Sequence, residues 1–344
     1  MLAPKCTRCD TSRTWDLLVA LQVMPVTSPT LNWENRIGRR LKLRDLQILS
    51  TVVEWGSMAK GATHLGMSQQ AVSEAIANLE SALRVRLLDR SPRGIKPTIY
   101  ACAFLKRGHV VFDELTQGIR DIEFLADPTV GEVRIGCPES MTAAFVPAIV
   151  DRLSRQYPRV VVHISNAQTA EQDFRELRER TVDLMVGRVL RPLVDNDVNS
   201  EILCEDEFLV VVGSRSRWAR RRKILLEELK DEPWVLFPSN SLIASYVAEA
   251  LRANGLEPPR ESVTSFSLHA RLQLLASGRF LTVMFGSVLR RNAKHWSLRV
   301  LPVDLGIPPV PIAIFTLKNR TLSPVAELFI KHAKAVSKAL TSNR

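Results

Sequence analysis

LRDLQILSTVVEWGSMAKGATHLGMSQQAVSEAIANLESALRVRLLDRSPRGIKPT, residues 43–98, is the stretch that decides how the 344-residue chain is read. Leu43, Leu46, Ile48, Leu49, Val52 and Val53 recur at helical spacing and stop at Gly56, which predicts a first helix with one apolar stripe. Ser57 is an N-cap for a second helix, Met58 to Leu65, and Gly66 supplies the tight turn after it. Ser68 caps a third helix. Its Val72, Ala75, Ile76, Leu79 and Leu83 share one side, opposite Gln70, Ser73, Glu74, Ala77 and Ser81, with Gln69 on the flank. A face of short polar side chains approaches the major groove closely, and glutamine amides both donate to and accept from base edges. A basic hairpin follows: Val85 to Leu88, a turn at Ser91 to Gly94, and Ile95 to Thr98, carrying Arg86, Arg90, Arg93 and Lys96. The stretch is therefore expected to read double-stranded DNA. Gln69, Gln70 and Ser73 are placed near base edges, and Ser57, Ser68, Arg90 and Arg93 on phosphates.

Working outward, the length exceeds what one hydrophobic core usually holds, so more than one domain is expected. Net charge is +11, with Lys and Arg clustered at Arg36 to Arg44, Arg84 to Arg107 and Arg215 to Lys223, which fits a polyanionic partner. The five cysteines are odd in number and scattered, which reads as reduced thiols and a cytoplasmic address. Cys6 and Cys9 form a CxxC with no second pair, so no zinc site is expected. Leu17 to Val26 is too short for a membrane span, and Asp10 and Asp16 stand where a signal peptide needs positive charge. Residues 1–40 lack a sustained period and read as a poorly ordered extension, within which Met24 offers an alternative start. The six histidines show no metal-ligand spacing, and GxSxG, Walker and GxGxxG motifs are missing. Neither catalysis nor a metal or cofactor is expected.

Tyr100 to Leu125 predicts a long helix that supports two apolar seams. One runs through Ala101, Phe104, Gly108, Val111, Leu115, Gly118, Ile122 and Leu125; the other runs through Leu105, Gly108, Phe112, Leu115, Ile119 and Ile122. A doubled stripe suits a helix that packs on its own domain and pairs with a second copy, and Gly108 and Gly118 argue for close packing. Asp127 and Pro128 end it.

Beyond Gly131, strands are expected at Val133 to Gly136, Val160 to Ser165, Asp183 to Gly187, Phe208 to Val212, Trp234 to Phe237, Phe280 to Phe285 and Ile312 to Thr316. Helices are expected at Thr142 to Gln156, Glu171 to Arg180, Leu242 to Asn254, Leu268 to Ser277 and Ser323 to Leu340. This alternation predicts mostly parallel sheets in two lobes, with a ligand beyond the strand carboxyl ends. Those ends deliver Ser140, Met141 and Thr142, then Arg188, then Pro238 and Ser239. Hydroxyls, helix-start amides and a guanidinium suit a small carboxylate, with Phe266, Met284 and Phe285 as an apolar wall.

The stretch 43–98, with its SQxAVSxxIxxLE core at Ser68 to Glu80, resembles the winged helix-turn-helix of LysR-type transcriptional regulators, and the remainder is similar to their effector domain in length and pattern. Lys60-Gly61-Ala62 stands where Arg-Ala-Ala is common, Arg84 where Gly commonly ends the helix, and Ile99-Tyr100-Ala101 in place of Pro-Ala-Gly. The resemblance implies an α/β chain with an otherwise all-α winged helix-turn-helix at residues 41–99 and a linker, dimerisation helix at 100–127. It also implies a two-lobed periplasmic-binding-protein-like (type 2) domain at 128–344. It further implies a homodimer or homotetramer on an operator, modulated by an organic acid in the cleft, where Arg188 matches a carboxylate ligand of some members. Two rivals fit less well. A solute receptor predicts an export signal and no helix-turn-helix, and a two-lobed enzyme predicts a base or nucleophile that Ser140 or Ser239, lacking a partner histidine, does not supply.

Overall fold

The computed structural model describes residues 41–92, 94–169 and 171–341, and the chain divides into two compact units with the boundary between Asp113 and Glu114. The N-terminal extension, the Cys6 and Cys9 pair, and Arg93 lie outside the described residues.

In the first unit, α1 (Leu43–Trp55) ends at Gly56 in the left-handed conformation, and α2 (Met58–Leu65) starts at Ser57, whose Oγ accepts the Lys60 N–H. Gly66, with φ of 64°, ends α2 and hands the chain to α3 (Gln69–Leu83), where Ser68 Oγ accepts the Ala71 N–H at 3.1 Å. Arg84 ends α3 at φ 59°, a conformation that costs a side-chain-bearing residue free energy. The wing pairs β1 (Leu88–Ser91) antiparallel with β2 (Gly94–Pro97), Leu88 facing Pro97. Its first strand begins later than expected. Glu80 Oε1 accepts the N–H groups of Leu87 and Leu88, at 2.6 and 3.2 Å, and so holds the approach to the strand against the end of α3. Leu49, Val52, Val72, Ile76, Leu79 and Leu87 form the core beneath the three helices.

The long helix α4 (Ile99–Ala126) starts where Thr98 Oγ1 accepts the Ala101 N–H. Ala101 and Leu105 join the first unit's core, and a Cβ on Gly108 would come within 2.8 Å of Leu46, so the missing side chain permits close approach there. A Cβ on Gly118 would meet nothing within 4 Å among the described residues. Farther along, Leu115, Ile119, Ile122 and Leu125 are exposed.

The second unit holds two sheets. Lobe A comprises β3 (Val130–Cys137), β4 (Arg159–Asn166), β5 (Leu184–Arg188), β6 (Val198–Asp206) and β12 (Val310–Leu317), in the order β4-β3-β5-β12-β6. One face is covered by α6 (Val146–Gln156) and α11 (Pro324–Thr341), which bring Ile149, Leu153, Phe329 and Ala333 to the core, and Phe174, Leu177 and Phe315 pack on the other face. Lobe B comprises β7 (Phe208–Gly213), β8 (Trp234–Leu236), β9 (Glu261–Thr264), β10 (Leu281–Phe285) and β11 (Leu298–Val300), in the order β11-β7-β10-β8-β9, with α8 (Leu242–Ala253), α9 (Leu268–Ala276) and α10 (Gly286–Asn292).

The expectation of mostly parallel sheets needs correction. In lobe A, β3 is parallel to β4 and β5, but β12 is antiparallel to β5 and β6. In lobe B, β8 is parallel to β9 and β10, but β7 is antiparallel to β10 and β11. The chain leaves lobe A along β6, starts β7 after a single residue and returns along β12. These transit strands run against their neighbours, and Val310 faces Asp206 across β12 and β6. The helix expected over Thr142 to Gln156 is two pieces, a short α5 (Glu139–Thr142) and α6, which opens with Pro147 in its first turn. Of the helix expected over Glu171 to Arg180, only α7 (Arg175–Arg178) forms, after Gln172 and Phe174 take positive φ.

Candidate functional site

In the first unit Gln69 and Gln70 are exposed at the start of α3, and Ser73, one turn on, is half-buried. Ser57 and Ser68 each accept one backbone N–H as a cap, which leaves the hydroxyl hydrogen for an outside acceptor. Arg90 is exposed in β1. His64 stacks at a tilt against Trp55, with ring centroids 5.2 Å apart.

In the second unit a cleft of about 360 Å³ lies between the lobes. Lobe A contributes Pro138, Glu139 and Ser140 after β3, Asn166 at the end of β4 with Gln168 and Thr169 after it, and Arg188 at the end of β5. Lobe B contributes Phe237, Ile243, Phe266, Leu268, Arg271, Met284, Phe285 and Val288. One wall is thus largely polar and the other largely apolar.

Of the effector residues expected from sequence, Ser140 and Arg188 line this cleft, as do Phe266, Met284 and Phe285. Met141 does not line it; its side chain is fully buried in the core of lobe A. Thr142 turns its hydroxyl back to donate to the Glu139 carbonyl at 2.7 Å. Pro238 and Ser239 also fall outside the lining. The start of α8 is capped not by the exposed Ser239 but by Ser241, whose Oγ accepts the Ala244 N–H.

Arg188 is only 5% exposed and already has a counter-ion. Its Nε and Nη2 donate to Asp206 Oδ2 at 3.0 and 2.8 Å, and its Nη1 donates to Ser140 Oγ at 2.9 Å. Ser287 completes the group, donating its backbone N–H to Asp206 Oδ1 at 2.8 Å and its hydroxyl to Oδ2 at 2.6 Å. The guanidinium lies 3.3 Å from the centroid of the Phe285 ring. Burial pulls the Arg188 pKa down and the Asp206 charge pulls it back up. The fork expected to grip an effector carboxylate grips Asp206 instead, because β5 and β6 flank β12 and both end at the same edge of the sheet, so the Arg188 side chain reaches Asp206 across one strand.

Two helix starts on lobe B are likewise occupied from lobe A. Glu139 accepts the N–H groups of Leu268 and His269 at 2.7 and 3.4 Å, and Glu171 accepts that of Leu242 at 3.2 Å.

Arg271, from α9, was not foreseen. It is 4% exposed, its Nη2 donates to Thr282 Oγ1 and the Val283 carbonyl at 2.8 and 2.9 Å, and its guanidinium sits 4.1 Å from the Phe237 ring centroid. Its buried Nε has no acceptor among the described residues, and burial pushes its pKa down to about 10. The readable signal was an arginine set between Leu268 and Leu275 on the buried face of an otherwise apolar helix.

Among the described residues no group of His, Cys, Asp and Glu is arranged to hold a metal ion, and no helix is long and apolar enough to cross a membrane. A family model described as LysR substrate binding domain matches residues 126–338, and one described as bacterial regulatory helix-turn-helix protein, lysR family, matches residues 43–101. The chain is 28% identical over 312 residues to the HTH-type transcriptional regulator GbpR of Azospirillum brasilense, covering 89% of each chain. It is 26% identical over 296 residues to the HTH-type transcriptional regulator TdcA of Escherichia coli (strain K12), covering 86% of this chain and 93% of the relative. In fold it is similar to the crystal structure of CbnR, a LysR family transcriptional regulator, with a TM-score of 0.60 at 21% identity, covering 86% of this chain and 99% of that one. These relatives and family models are of regulators, not enzymes.

Proposed function

The chain belongs to the LysR family of transcriptional regulators, DNA-binding proteins with a substrate-binding domain, and on that premise we propose which of its residues carry each task. Helix α3 enters the major groove with Gln69, Gln70 and Ser73 toward base edges, and Ser57, Ser68, Arg90 and Arg93 hold phosphates. The observation that carries this reading is the exposed Gln69 and Gln70 pair directly after the Ser68 cap, at a helix start whose free backbone amides favour a phosphate. A small organic acid occupies the cleft between the lobes, bordered by Ser140 and Arg188, and biases their arrangement through its differential affinity for two states. The bare apolar stripe of Leu115, Ile119, Ile122 and Leu125 supports pairing with a second copy through α4, as a homodimer or as a homotetramer of two such dimers, acting on operator DNA in the cytoplasm.

The test is DNA binding by the full chain on an operator selected from random duplexes, at several salt concentrations. Replacing Gln69 and Ser73 by Ala should lower discrimination against random duplex by about 1–3 kcal/mol. Arg90→Ala should weaken both duplexes alike and reduce the salt slope by about 1. Equal losses on both duplexes from the Gln69 and Ser73 variant would overturn the base-contact assignment.

A further inference from the structure

We propose that Arg271, rather than Arg188, holds the anionic group of the effector, and that the effector is a small carboxylic acid with an apolar body. This rests on the reading of the inter-lobe cleft as the effector site.

The argument begins with charge. Glu139 is the acidic residue among the described residues of the lining, and its carboxylate is taken by the Leu268 and His269 amides. Asp206 is taken by Arg188 and Ser287. Arg271 also lines the cleft, yet among the described residues it forms no ion pair, and its hydrogen bonds go only to a hydroxyl and a carbonyl. Among the described residues neither its Nε–H nor its Nη1 donors meet an acceptor. A guanidinium has five N–H donors and does not shed its charge at neutral pH, so burying it without an acid is costly. The Phe237 face recovers part of that cost but takes no hydrogen bond. The missing partner therefore has to arrive through the cleft, and it has to be an anion.

The surroundings set the rest of the ligand. Beside Arg271 on the lobe B wall stand Phe237, Phe266, Met284 and Phe285, which reward an aromatic or branched aliphatic body. A polyhydroxylated acid would leave its hydroxyls unpaired against this wall. The side chains of Gln168 and Thr169 on lobe A remain for a neutral polar group at the ligand's other end.

The experiment is isothermal titration of the full-length chain with benzoate, phenylacetate, isovalerate and gluconate, with neutral benzamide as the uncharged counterpart of benzoate. An apolar monocarboxylate should bind at least tenfold more tightly than gluconate or benzamide. Arg271→Gln should lose that preference, binding benzoate no better than benzamide, and Arg271→Lys, which keeps a charge, should retain part of it. Ser140→Trp, which fills the cleft from lobe A, should abolish binding. If Ser140→Trp blocks the acid while Arg271→Gln and Arg271→Lys bind it like the parent chain, the role of Arg271 is overturned and the cleft reading stands. If Ser140→Trp leaves binding unchanged, the cleft reading itself fails. Preference for gluconate, or binding of none of the three apolar acids, overturns the ligand class.

Discussion

The Glu139 carboxylate of lobe A accepts the Leu268 backbone N–H of lobe B at 2.7 Å. The bond spans the cleft and places an internal anion at the start of α9, where a helix dipole favours negative charge. Removing it by Glu139→Ala leaves the Leu268 and His269 amides without that acceptor. Hydrogen exchange at these amides should accelerate about tenfold or more, since bonds to charged groups contribute about 1.5–3 kcal/mol. Unchanged protection would mean that Glu139 does not hold the lobes together.

The Arg188 and Asp206 pair should behave as a unit. Each side chain is almost completely buried, so Asp206→Leu should cost about 3–5 kcal/mol by leaving a guanidinium without its acid. The double change of Arg188→Met with Asp206→Leu should cost less than the sum of the two single changes. Urea unfolding of the four proteins checks this, and simple additivity would contradict it.

Acid sensitivity is expected at Asp183. Burial raises its pKa, but hydrogen bonds from Arg134 and the charges of Arg134 and Arg320 outweigh burial and hold it below the ordinary 3.8. An aspartate lowered in this way adds stability that is fully present above its unfolded pKa and is lost as pH falls through its folded one. Asp183→Asn should therefore cost about 3 kcal/mol at neutral pH and progressively less as pH drops below the carboxylate range. A penalty independent of pH would show that the charge is not what matters.

Arg84 ends α3 at φ 59°, in a conformation that only glycine adopts without strain. Arg84→Gly should relieve about 1–2 kcal/mol of strain and give back about 0.4–1 kcal/mol through the freer unfolded chain. The net expectation is a modest rise in the melting temperature of the first unit, and a fall would refute the strain.

What the sequence disclosed and what it hid follow from how far apart the partners lie along the chain. The helix-turn-helix is legible because Ser57, Gly66 and Ser68 act on neighbours within a few residues, and the apolar period does the rest. Arg84 also stood out, since its departure from glycine is local. The cleft is less legible. Arg188 was visible as a strand-end arginine, but its acid is 18 positions away and Ser287 is 99 away, so only the folded chain shows that it is already neutralised. Strands β6, β9 and β11 escaped because VNSEILCED does not alternate cleanly and the other two span only four and three residues. Glu80, within an obvious motif, read as part of a helix; its bond to the wing depends on the turn after Arg84.

The register between β6 and β12 bears on how the molecule is assembled as well as on its shape. Val310 faces Asp206, so the points where the chain departs for lobe B and comes back are adjacent rungs, with Cα atoms about 5 Å apart. Lobe B is thus a cassette spliced into the tip of an antiparallel hairpin. Excising residues 207–309 and joining the rungs through a two-residue turn would leave every strand pairing of lobe A in place. By the same geometry, exchanging the cassette between relatives would transplant Arg271 and the apolar wall together while leaving the host's helix-turn-helix untouched.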